Sequence, residues 1–259
     1  MTRRRHRVVF GGALAVVVVA LACSQVSTDP NSVLSLELRP MQLPSIVLHD
    51  SIHDTTGAVD SLHAYAYNAQ GALVAGAPIR FLAITGRGSV QVDSVSGQVV
   101  GDTIAGRAFV LASVGILQTK PDTIFVVNSP DSLIPLDSTT YTLDYNKATL
   151  RDTLWPLRVK LLHLPGDTVP HYRLQYAFTY KLPNTNLDPF KVQLVNVASV
   201  PQLVDTTVVT RGASTLSLRV AVIADTLTDS VGVNVYAYRP DHTPVPGSPV
   251  HFVIKLHIH

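Results

Sequence analysis

The chain carries one Cys, ten His and eighteen acids, and their positions narrow what chemistry they can do. Cys23 is the only thiol among 259 residues. It directly follows an apolar run, so it is placed to be an attachment point and has no partner for a disulfide. His49-Asp50 and His53-Asp54, with Asp60 further on, bring two imidazoles and three carboxylates within a dozen positions. Such groups suit a divalent ion, but nothing in their spacing builds a tetrahedral set, and the segment reads as a polar loop between the first two strands. His251, His257 and His259 share one parity of the last strand, and Lys255 on that face repels a cation. Neither place is expected to hold a metal, and no cofactor is expected.

Catalytic constellations are missing as motifs. The chain has no Gly-x-Ser-x-Gly, no His-Glu-x-x-His and no Walker loop, and Gly86-Arg87-Gly88 reads as a turn. Glu37 is the single glutamate, which narrows the supply of tuned general acids to aspartates. The aspartates lack the Asp-x-Asp-x-Asp-Gly pattern of a calcium loop. The expectation is a protein that is not an enzyme.

Aromatic residues offer a candidate binding surface. Leu62, Ala64 and Ala66 share one face of an alternating run, as do Val233, Val235 and Ala237, and a buried core claims those faces. Tyr65, Tyr67, Tyr236 and Tyr238 then point away from it. Paired tyrosines on a solvated sheet can hold a sugar or a partner protein, because they supply contact area and a hydroxyl at modest entropic cost. Ordinary cross-strand packing is the competing reading. The row Tyr172, Leu174, Tyr176, Phe178 and Tyr180, opposite Arg173, Gln175, Thr179 and Lys181, reads as core.

The elements that carry these residues are strands. Val, Thr, Leu and Ser are abundant, and strong helix formers other than Leu and Ala are scarce, so the fold class is all-β. Thirteen of seventeen aspartates are followed by Ser or Thr, as in Asp60-Ser61, Asp122-Thr123, Asp152-Thr153 and Asp229-Ser230. These pairs read as strand entrances, where the Asp side chain closes a turn ahead of an alternating run.

An internal repeat organises the chain. Leu62 to Phe81 returns 171 residues later as Val233 to Phe252, matching Tyr65, Ala66, Tyr67, Val74, Gly76, Pro78 and Phe81 with Tyr236, Ala237, Tyr238, Val245, Gly247, Pro249 and Phe252. A fainter copy lies 95 residues after the first, at Leu157, Gly166, Val169, Leu174 and Tyr176. Each copy reads as two consecutive strands around a small loop. The spacing predicts one sandwich over residues 31–128, a linker at Ser129-Pro130-Asp131, and a second sandwich over 132–259 with an extra terminal hairpin.

The N-terminus supplies the address. Arg3, Arg4, Arg5 and Arg7 precede fifteen apolar or small residues, Val8 to Ala22, which fall short of the roughly 20 needed to span a bilayer. With Cys23 next, residues 1–22 resemble a bacterial lipoprotein signal peptide and 23–30 a lipidated tether. The resemblance implies a thioether-linked diacylglycerol on Cys23, an acylated new N-terminus, and anchoring in the cell envelope. Ser24 in place of Asp points to the outer membrane where the organism has one. Ala20 stands where that family usually has a large aliphatic residue. Loss of four arginines and no acid takes the net charge from +2 to −2, and the remaining arginines are scattered, which excludes a nucleic-acid partner.

The run Ala64 to Phe81, with Gly97-Gln98-Val99, Gly106-Arg107-Ala108 and Pro121-Asp122-Thr123-Ile124, resembles bacterial Ig-like domains of the invasin and intimin kind. That resemblance implies disulfide-free Greek-key β-sandwiches, two in tandem here, used in adhesion, protein binding or spacing. A surface carbohydrate-binding lipoprotein is the alternative, and an enzyme the third reading.

Overall fold

The computed structural model describes residues 29, 31–84, 88–145, 152–153, 157–164, 166–179, 192–195, 201–202, 205–208, 213–220 and 230–258. The described residues are all-β. In chain order the strands are β1 (Ser35–Leu38), β2 (Ser45–Val47), β3 (Ala64–Tyr67), β4 (Arg80–Ile84), β5 (Val90–Val92), β6 (Val99–Gly101), β7 (Gly106–Val114), β8 (Leu117–Gln118) and β9 (Asp122–Val127). There follow β10 (Ser132–Pro135), β11 (Thr140–Tyr145), β12 (Asp152–Thr153), β13 (Leu157–His163), β14 (Asp167–Thr168), β15 (Arg173–Phe178) and β16 (Val192–Val195). The last are β17 (Pro201–Gln202), β18 (Asp205–Val208), β19 (Ala213–Val220), β20 (Ser230–Tyr236) and β21 (Val250–Ile258). The signal segment and Cys23 lie outside the described residues.

Aspartate is the first residue of β9, β12, β14 and β18, and of the local bonds that follow only that of Asp122 falls at a strand start. The carboxylates of Asp50, Asp60 and Asp122 each accept the N–H of the next residue, at 2.7, 2.8 and 2.8 Å. Elsewhere the same dipeptide makes a turn: Asp54 accepts from Thr56 and Ala58, and Asp93 from Val95 and Ser96. Asp-Ser/Thr therefore marks where a strand is interrupted, on either side of the break.

Strands β1 to β9 pair only with one another, and so do β10 to β21. In the first group β2-β9-β7-β4 form one sheet, facing the β1-β3 and β5-β6 ladders across a core of Ile46, Leu62, Phe81, Val99, Val110 and Ile124. In the second, the sheet β10-β13-β19-β16-β17 faces β11-β21-β20-β15-β18. Leu157, Val159 and Leu161 meet Leu174, Tyr176, Val233, Val235 and Phe252 between them. Both groups close with a parallel ladder between an early strand and the final one, β2 on β9 and β11 on β21. Of the predicted core row, Tyr172, Leu174 and Tyr176 are buried, Phe178 is half-buried, and Tyr180 lies outside the described residues.

The three repeat copies build the same turn. Val74 N–H donates to Ala66 C=O, Val169 to Leu161 and Val245 to Ala237, at 2.8, 3.0 and 3.0 Å. Gly71, Gly166 and His242 also match, each donating to the carbonyl three residues earlier with φ of 76°, 129° and 63°. The pairing beyond the turn differs. β3 and β4 belong to different sheets, as do β13 and β15, whereas β20 and β21 are hydrogen-bonded neighbours from Ser230↔Lys255 to Val235↔Val250. The fainter copy is thus the topological equivalent of the first.

This revises one expectation. The last two strands are not a hairpin added to a finished sandwich: they lie in the middle of their sheet between β11 and β15, with Val233, Val235, Phe252 and Ile254 fully buried. Apolar residues on the inward face of both strands require that position. The Ser129-Pro130-Asp131 stretch is also pinned. His163 Nδ1 lies 2.8 Å from Ser129 O and 2.9 Å from Asp131 Oδ2, and Leu164 N–H donates to Asp131.

Candidate functional site

The four candidate tyrosines occupy two places. Tyr65 and Tyr67 lie on β3, opposite Glu37 and Ser35 of β1. Tyr65 is 36% exposed, whereas Leu62 and Ala66 on the other face are buried. The Tyr67 hydroxyl donates to Glu37 Oε2 at 3.3 Å, and desolvation, then the Glu37 carboxylate, hold its proton more tightly than usual. This face is a two-stranded ladder tied by the Tyr67–Glu37 bond.

Tyr236 and Tyr238 line a cleft between the two strand groups, and Tyr65 and Tyr67 are not part of it. Their rings are parallel within 6°, with centroids 6.0 Å apart. The imidazole of His242 continues the stack on Tyr238 at 4.8 Å and 6°. Strand alternation positions the tyrosines: Val235 and Ala237 between and beside them are buried, so both phenol rings emerge on the opposite face. The repeat turn carries His242 back over them with a left-handed backbone, a position glycine holds in the other two copies. Gly57, in a turn of the first strand group, packs on the His242 side chain; a Cβ there would meet His242 Cβ at 3.1 Å.

Hydrogen bonds orient this wall. The buried Tyr172 hydroxyl donates to Tyr238 C=O at 2.8 Å, and burial pushes its phenol pKa up. Asn234 Nδ2 donates to the Tyr236 hydroxyl oxygen at 2.9 Å, and Asn234 Oδ1 lies 2.6 Å from His251 Nδ1. With the Tyr236 oxygen accepting, its own proton is left to donate. Arg239 follows Tyr238 directly and is half-buried in the cleft.

The facing wall comes from Leu43 to Val47 and from Ser51, His53, Asp54 and Thr55. Asp54 is occupied: its Oδ1 accepts Thr56 N–H, Thr56 Oγ1 and Ala58 N–H at 2.8, 2.7 and 3.0 Å, and these bonds, chiefly those from Thr56, hold its pKa down. His53 Nδ1 is tied to Ser51 O at 2.8 Å, and Asp60 reaches His63. The side chains of Asp50, His53, Asp54 and Asp60 are therefore tied to local groups. Among the described residues no group of three or more His, Cys, Asp or Glu is placed to hold a metal ion. Sequence reasoning missed Arg239 and His242, because nothing local places a turn of one half against the other.

A second contact between the halves lies near the ends of β9 and β7. The His171 ring stacks on Phe125, with centroids 3.5 Å apart and planes 8° apart, and the Arg107 guanidinium sits 5.8 Å from the Phe125 centroid.

No protein-family model matches the chain, and no curated protein matches it. Among solved structures it is similar to the Yersinia pseudotuberculosis adhesin InvE, at 15% identity over 88% of this chain and 61% of that one, with a TM-score of 0.35. It is similar to the Escherichia coli adhesin FdeC at 12% identity over 85% of this chain and 63% of that one, TM-score 0.31. The fibronectin(III)-like modules of Clostridium thermocellum CbhA match at 9% identity over 86% and 95%, TM-score 0.32. The chain spans less than two thirds of the length of either adhesin. No helix among the described residues is long and apolar enough to cross a membrane.

Proposed function

We propose that this is a lipid-anchored cell-envelope protein whose two Ig-like units, residues 31–128 and 132–259, serve adhesion, protein binding or spacing without catalysis. One observation carries the anchor: the only thiol, Cys23, stands where an arginine-rich and then apolar segment ends. A diacylglycerol on Cys23 and an acyl chain on the new N-terminus make attachment effectively permanent, since each buried methylene contributes about 0.8 kcal/mol. The sandwiches then stand off the membrane, outer where the organism has one. They are stabilised by apolar packing and need no disulfide.

Cys23→Ser tests this reading. The variant is expected to lose incorporation of labelled fatty acid and to leave the membrane fraction after a salt wash. Retention of the unlabelled variant in membranes rules out the anchor. Cells displaying the wild type are expected to attach to host or neighbouring cell surfaces more than cells lacking it, and equal attachment removes the adhesion role. The stacked tyrosines favour the second reading, a carbohydrate-binding surface protein, because rings held parallel by their own strand lose little entropy on contact with a sugar.

A further inference from the structure

We propose that the cleft lined by Tyr236, Tyr238 and Arg239 binds one carboxylate-bearing sugar ring, of the uronic acid class. The proposal deepens the surface-binding reading, and for its biological setting it rests on that reading. Size sets the first limit. The space open to water in the cleft is about 110 Å³. At the roughly 30 Å³ that each water takes in the liquid, that is room for about four waters, which suits one ring partly sunk into the cleft and not a folded partner.

Charge sets the second. The cleft is lined by two guanidiniums, Arg173 and Arg239, and by one carboxylate, Asp54, whose accepting oxygen is filled by its own turn. The Arg239 backbone is held by its N–H bond to Thr243 C=O at 2.8 Å, yet among the described residues its guanidinium makes no hydrogen bond or ion pair. Asp241 stands near enough to feel Arg239, but its carboxylate accepts from Thr243 N and Thr243 Oγ1. A half-buried guanidinium with unfilled donors takes a carboxylate in a two-point fork, the strongest neutralisation open to it.

Chemistry sets the third. A carboxylate alone satisfies Arg239 but leaves the aromatic wall unused. The Tyr236–Tyr238–His242 stack offers ring faces and edges to sugar C–H groups, while the Tyr236 hydroxyl, whose oxygen is taken by Asn234, offers its proton to a sugar oxygen. Ser51, Thr55 and Gln175 line the cleft as further hydroxyl and amide partners. An acidic peptide meets the charge condition without the hydroxyls these groups recognise.

The test is a titration of the full chain in detergent, followed by saturation-transfer NMR, with glucuronate, glucose, acetate and a short Asp/Glu peptide as probes. Glucuronate is expected to bind at least tenfold more tightly than glucose or acetate, and the peptide is expected not to displace it. Arg239→Gln should remove that preference, leaving glucuronate no better than glucose. Tyr236→Phe, which keeps the ring, should weaken glucuronate several-fold in a variant that remains folded. Equal affinity for glucose and glucuronate overturns the proposal, as does equal affinity for acetate, displacement by the peptide, or indifference to Arg239→Gln in a folded variant. Failure here leaves the anchor and attachment assays untouched, and failure of those assays leaves this titration standing.

Discussion

Tyr176 is where the two sheets of the second strand group meet. It rises from β15, is fully buried, and its hydroxyl lies 3.2 Å from Leu157 C=O and 3.1 Å from Ser214 Oγ in the facing sheet. Burial pushes its phenol pKa up, so the hydroxyl keeps its proton to donate. Tyr176→Phe removes the buried hydroxyl that ties the two sheets and is expected to cost about 1 to 3 kcal/mol by urea denaturation. Tyr65 belongs to the other class. At 36% exposure its removal is expected to cost no more than about 0.5 kcal/mol, against about 3 to 5 kcal/mol for Phe81→Ala in the first core. A Tyr65→Ala loss as large as that of Phe81→Ala would remove the outward face on which Tyr65 is placed.

At the scale of elements, one turn has two outcomes. In the first copy the backbone N–H of Leu62 donates to Gly97 C=O and that of Phe81 to Ser94 C=O, so the 94–97 turn bonds to both flanking segments while β3 and β4 go to separate sheets. In the last copy Val233 faces Phe252 directly across one ladder. Gly97 is what fits there. Its φ is +72°, and a Cβ would meet Leu62 O at 2.7 Å and the Phe81 ring at 2.9 Å. Gly97→Ala is expected to destabilise the first sandwich by about 1 to 3 kcal/mol, from left-handed strain and collision together. A melting curve matching wild type would mean that the turn does not fill that gap so tightly.

For the whole molecule, the junction between the halves is the part that responds to conditions. Val47 and Val127, from the first strand group, are buried within the core cluster of the second. His171, stacked on Phe125, has its pKa lowered from the ordinary 6.5, by burial first and then by Arg107; Asp167 is the acid lining the same crevice. Just below pH 6.5 the unfolded chain therefore binds more protons than the folded one, so stability rises with pH across that window and falls on acidification. The full chain is expected to lose junction stability as pH drops below about 6.5, read by chemical denaturation at a series of pH values. His171→Phe, which keeps the stack, should flatten that slope. Residues 31–128 alone should unfold cooperatively, less stably for want of cover on Val47 and Val127, and without the slope that His171 gives the full chain. An unchanged slope in His171→Phe would assign the acid response to another group.

Much of this was legible in the residue order, because it depends on neighbours along the chain. Alternation alone placed Leu62 and Ala66 inward with Tyr65 outward and buried Tyr172, Leu174 and Tyr176, whereas Asp before Ser or Thr, read as a strand entrance, makes a turn at Asp54 and Asp93. The repeated turn was legible for the same reason, since its hydrogen bonds span only a few residues. Which strands lie side by side was not. Similarity ranked the last copy as the true repeat of the first, yet the fainter copy shares its topology, because pairing depends on backbone groups brought in from far along the chain. The cleft was hidden for that reason too. Tyr236 and Tyr238 announced themselves as an outward pair, but only the packing of one strand group on the other set His53 and Thr55 across from them and left the Arg239 guanidinium half-buried, with no hydrogen bond or ion pair among the described residues.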